Sequence, residues 1–124
     1  MIPDIQTFEA AIARTVDQGG GTFATDGTPF EPSSGYAVGI GGIILDPATT
    51  GAFRLRHAFK QVHRNFGGNY VGTWLDEGQL YVDAVAYLWS DERDAALALG
   101  IQYGQLAIYD FAAGESITLA DLEA

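Results

Sequence analysis

The 124 residues include sixteen Asp and Glu against six Lys and Arg, a formal net charge of −10 with a pI near 4.2. That balance argues against direct binding to DNA, RNA or an anionic membrane, each of which calls for a basic surface. With no cysteine, disulfides, thiol chemistry and cysteine-based zinc sites are excluded.

A hydrophobic share of 48%, with two Trp, six Tyr and seven Phe, is enough for one core in a single domain, 1–124. The start, Met1-Ile2-Pro3-Asp4-Ile5, lacks a basic stretch, and Asp4 and Glu9 interrupt its apolar residues, so no secretory signal is expected. The longest apolar run, Tyr36 to Leu45, holds three glycines and is about half the length of a membrane helix. A soluble cytoplasmic protein without cofactor is the expectation.

Residues 4–18 read as an amphipathic helix with Ile5, Phe8, Ile12 and Val16 on its apolar side, stopped by Gly19-Gly20-Gly21. The stretch 19–35 reads as a loop, punctuated by Asp26-Gly27, Pro29 and Pro32 and with room for a short hairpin at Asp26-Gly27. Tyr36 to Leu45 is a strand with a bulge or bend at Gly41-Gly42. Residues 52–66 form the clearest helix, with Leu55, Phe59, Val62 and Phe66 as its apolar stripe. Strands 70–75 and 79–88 follow, joined by a three-residue loop, Asp76-Glu77-Gly78. Ser90 is placed to cap a helix over 91–103, with Asp91, Glu92 and Asp94 in its first turn. Strands at 105–110 and 115–119 complete an α+β core over 36–119, and 120–124 is expected to fray. The order from residue 36 is βαββαβ, the ferredoxin-like order of an antiparallel sheet with helices on one face, plus an N-terminal helix and a C-terminal strand.

Charge is segregated. Residues 47–75 contain no acid but hold Arg54, Arg56, Lys60 and Arg64, a window of +4. Arg14 and Arg93 set against sixteen acids leave the remainder at −14. On a helix Arg56, His57, Lys60 and Arg64 lie opposite the apolar stripe, either as a solvated face or as a docking face for an acidic ligand or another copy. His57 and His63 are six residues apart, the wrong spacing for a metal pair, and no metal site is expected. Asp76 with Glu77, and Asp91, Glu92 and Asp94, suit turn and helix-start chemistry and are also candidates for contact with a basic or nucleic-acid-binding protein. Asp83 and Asp110 are the acids expected to be partly buried, and nothing marks either as a catalyst. Tyr36-Ala37-Val38-Gly39-Ile40-Gly41-Gly42 fails the spacing of a nucleotide-binding glycine loop, because Ile44 occupies the third glycine position and no helix follows.

Strand 79–88 alternates, so Tyr81, Asp83, Val85, Tyr87 and Trp89 share one face. Tyr81, Tyr87 and Trp89, joined by Tyr109 and Phe111, make an aromatic sheet surface without the basic and glycine residues of RNA-recognition strands. Cover by the N-terminal helix is expected there, and a partner interface is the next reading.

The segments Tyr70-Val-Gly-Thr-Trp-Leu-Asp-Glu-Gly, Leu80-Tyr-Val-Asp and Gly104-Gln-Leu-Ala-Ile-Tyr-Asp-Phe resemble a pattern in small acidic proteins of phages and mobile elements. The resemblance spans roughly residues 35–118 and passes on no residue role. It implies a protein that binds and modulates a host or phage protein, inhibitors of host defence included; with the small size, acidity, segregated charge and lack of a catalytic motif, the expectation is a non-enzymatic accessory factor acting through an acidic surface. The alternatives are a small-molecule binder or small enzyme with a pocket between sheet and helices, and a self-assembling protein pairing the basic helix with acids of another copy.

Overall fold

The computed structural model describes residues 3–119, so the expected frayed end at 120–124 lies outside the described residues. Three helices, α1 (Pro3–Gln18), α2 (Ala52–Phe66) and α3 (Arg93–Gln102), pack against one six-stranded sheet. Its strands are β1 (Gly20–Ala24), β2 (Tyr36–Leu45), β3 (Tyr70–Asp76), β4 (Gln79–Leu88), β5 (Ala107–Asp110) and β6 (Glu115–Thr118). They lie in the order β1-β3-β4-β2-β5-β6, every neighbouring pair antiparallel. The chain is therefore α+β, with an antiparallel sheet.

The core has two parts. Under α1 and α2, Phe8, Phe23, Phe59, Val62, Val71 and Val82 exclude water completely or nearly so. Under α3, Val38, Ala96, Ile108 and Leu119 do the same. Alternation along β4 places Leu80, Val82 and Ala84 on this helix-bearing face. These side chains pack tightly between sheet and helices.

Four expectations are corrected. First, α1 does not cover the aromatic sheet face. It lies beside α2, where the Phe8 and Phe59 rings meet edge to face with centroids 5.0 Å apart. Its buried side is Phe8, Ala11 and Thr15, with Val16 68% exposed. Ala11 brings no bulk to that side, and Thr15 is satisfied by donating to Ala11 O at 2.8 Å and by contact with the Thr73 hydroxyl at 2.7 Å. Second, 19–35 is not all loop, because Gly20–Ala24 pairs along β3. Third, Asp76 pairs with Gln79, which leaves a two-residue turn of Glu77 and Gly78. Both have positive φ, 49° and 76°, as a hairpin with the right twist requires. Fourth, Ser90 lies in a short 3-10 turn, Ser90–Glu92, and the terminus is tied instead by the Glu92 carboxylate accepting from Trp89 N–H at 2.8 Å.

Candidate ligand cleft on the open sheet face

Helices cover one face of the sheet, and the other is hollow. The hollow has a volume of about 550 Å³, and its lining includes Thr22 of β1 and Ser116 of β6. These strands are the two edges of the sheet, so the sheet must curl for both to border one concavity. The floor is built from small residues, Ala37 and Gly39 of β2 and Gly72 of β3, with Val85 of β4. Trp74 and Tyr109 stand on opposite sides, and Phe30 and Phe111 line it as well.

The glycines matter because β2 is bulged. Its register against β4 slips between Gly39 and Gly42, as the Gly-Gly pair suggested. Gly42 lies opposite Asp83, and a Cβ at Gly42 would overlap Asp83 Oδ1. The carboxylate thus rests against a backbone that only glycine leaves open. Gln105 does the same at the other end of the bulge, where a Cβ on Gly39 would stand 2.7 Å from its Oε1. A carboxylate and a carboxamide are thereby laid on a glycine floor between aromatic walls.

Asp83 is half-buried, and its carboxylate has no hydrogen-bond donor or ion-pair partner among the described residues. Burial alone pushes the group up from its ordinary 3.8 to about 6. The one basic side chain lining the hollow, Arg14, is ion-paired with Glu31 at its border.

The loop after β1 closes one end. Phe30 stacks on Tyr70 with centroids 3.8 Å apart and meets Tyr87 and Phe111 edge to face. Phe30 N–H donates to Thr22 O at 2.9 Å, and Tyr87 O–H donates to Ser34 O at 2.6 Å. This loop covers the aromatic face where α1 was expected. Tyr81, Tyr87 and Trp89 do share the open face, in two groups. Tyr81 packs against Trp74 at 5.6 Å, whereas Tyr87 and Trp89 lie 6.0 Å apart. Asp83 and Val85 lie between the groups.

The remaining sequence candidates lie elsewhere. Arg56, Lys60 and Arg64 line a shallow groove on α2 together with His63, Thr25 and Asp26, whereas His57 is exposed and not among its lining residues. Asp26 accepts from Thr28 N–H at 3.0 Å and Thr28 O–H at 2.7 Å, which holds its carboxyl below the ordinary value. Asp76 and Glu77 stand at one end of β4, and Asp91, Glu92 and Asp94 follow the other, roughly 30 Å away at about 3.3 Å per residue. The two acidic clusters do not form one patch. Asp110 is occupied in its turn, accepting from Ala112 and Ala113 N–H at 3.0 and 3.2 Å.

Among the described residues no group of three His, Asp or Glu is placed to hold a metal ion, and no helix is long and apolar enough to cross a membrane. Gln105 and the role of the glycines escaped the sequence reading, since a bulge that lays side chains over glycines leaves no periodic mark. No family model, no curated protein and no solved structure matches the chain.

Proposed function

We propose that the protein is a non-enzymatic binder of a small organic molecule, held in the concave face of its sheet. The cleft of about 550 Å³ carries this reading. Its size falls within the range of small-ligand sites, and aromatic side chains line it beside polar groups that include Asp83 and Gln105. In the same reading β2-α2-β3-β4-α3-β5 is a split βαβ unit of ferredoxin-like order. Support comes from the strand order β3-β4-β2-β5 and from the two helical crossovers.

The test is a ligand-observed NMR screen of small aromatic and heterocyclic compounds against the wild type and Ala107→Trp. Ala107 lines the cleft from β5, where an indole would take up part of the ligand's space. Saturable hits lost in Ala107→Trp are expected. Hits that survive the substitution, or a screen without saturable hits, would contradict the proposal.

A second reading, a protein-binding accessory factor of the phage kind, is favoured by Trp89, 69% exposed beside Tyr87. An exposed indole next to a part-buried aromatic ring suits the centre of a protein interface. Trp89→Ser should then abolish retention of a defined host protein that the wild type captures. Equal capture by both would remove Trp89 from the account.

A further inference from the structure

Resting on the reading of the concave face as a ligand cleft, we propose that its ligand is a small organic cation, an amine or quaternary ammonium carried on an aromatic or aliphatic body, with Asp83 as its counter-ion. Three observations converge on this chemistry.

The first is the orphaned carboxylate. Buried polar groups are nearly always paired, and an unpaired one is costly to keep. Asp83 has no donor or cation among the described residues, although a glycine opposite it keeps its place open. A ligand N–H or ammonium supplies the missing partner.

The second is the set of walls. Trp74, Tyr109, Phe30 and Phe111 line the same hollow, and aromatic side chains attract cations that approach their faces. A bare metal ion would not use them. Calcium wants roughly six to eight oxygen ligands, whereas Asp83 offers a single carboxylate.

The third is the charge around the cleft. Arg14, Glu31, Asp83 and Tyr109 are its titratable lining groups, and Arg14 is engaged by Glu31. The net charge of −10 draws cations toward the molecule and repels anions. Gln105 adds an acceptor and a donor for a neutral polar group on the ligand.

Burial of Asp83 adds a pH signature. Cation binding should weaken as pH falls through about 6, where the carboxyl takes up a proton.

The experiment uses three probes of matched shape: 2-phenylethylamine, 2-phenylethanol and 3-phenylpropionate. Each is titrated at pH 7.5 into 15N-labelled wild type and Asp83→Asn, following the amides of Gly39, Gly72 and Val85, which border the cleft in both proteins. The amine is expected to bind roughly ten-fold or more tighter than the alcohol, with the anion weakest. In Asp83→Asn the amine should fall to within about two-fold of the alcohol, whose own affinity is kept. The substitution leaves all but one unit of the net charge, so general attraction to an acidic protein does not explain that loss. Equal binding of amine and alcohol to the wild type would overturn the cation proposal and leave the cleft reading standing. So would a preference that persists in Asp83→Asn. If no probe moves any of these amides, the cleft reading falls with it.

Discussion

Asp83 is the residue on which folding and binding pull in opposite directions. Its carboxyl titrates near 6 in the folded chain against an ordinary 3.8, because burial disfavours its charge. The folded state therefore binds more protons than the unfolded state between these values, and stability falls as pH rises from about 4 to about 6. Below that window both states are protonated and the effect is absent; above it the full cost remains. Asp83→Asn should raise unfolding free energy by about 1–3 kcal/mol at pH 7, with no gain below about pH 4, measured by urea denaturation at several pH values. A residue that destabilises the fold while bordering a cleft is the pattern expected when function sets its identity. The alternation of β4 already placed Asp83 on the face of Tyr81 and Tyr87 as a partly buried acid. What it could not show was the missing partner, which depends on how β2 bulges and where Gln105 lies.

The helices and edge strands owe their places to packing more than to local preference. Phe59 of α2 is fully buried between the rings of Phe8 and Phe23, so it joins α1, α2 and β1. Phe59→Ala should cost about 3–5 kcal/mol by thermal or chemical unfolding. The loop over the aromatic end depends on one hydroxyl. Tyr87→Phe removes the bond to Ser34 O and should cost about 0.5–1.5 kcal/mol, while hydrogen exchange at the Phe30 amide quickens. β2, α2 and β4 were legible to the residue, since a ten-residue apolar or alternating run and a clean helical stripe leave little ambiguity. β1 was not. Its Gly-Gly start has poor strand preference, and it exists because β3 offers an open edge and Phe23 finds the core. The partner of α1 was hidden for a similar reason. A spacing of three and four residues shows that a helix has a buried side, but Ala11 and Thr15, which make that side fit, leave no mark in a hydropathy pattern.

Across the whole molecule charge is segregated along the chain, with −14 outside residues 47–75 and +4 within them. Arg14 pairs with Glu31, but sixteen acids outnumber six basic residues, so the acidic excess repels itself. Added NaCl should therefore raise the melting temperature between about 10 and 150 mM, as the screening length shrinks from roughly 30 to 8 Å. A calorimetric scan across that series checks it, and a falling melting temperature would show that attractive pairs dominate instead. The organisation follows from the sheet. All three helices lie on one face, which leaves the other to curl around Asp83, Gln105 and a ring of aromatic side chains. Segregated charge was readable along the chain, but a cleft shared by all six strands is a property of their order. The most direct test is a 13C-detected NMR titration of the Asp83 side-chain carboxyl in the unliganded protein. A midpoint near 6 is expected. A midpoint at or below the ordinary 3.8 would mean that the carboxylate already has a partner, and the cleft would lose its anchor.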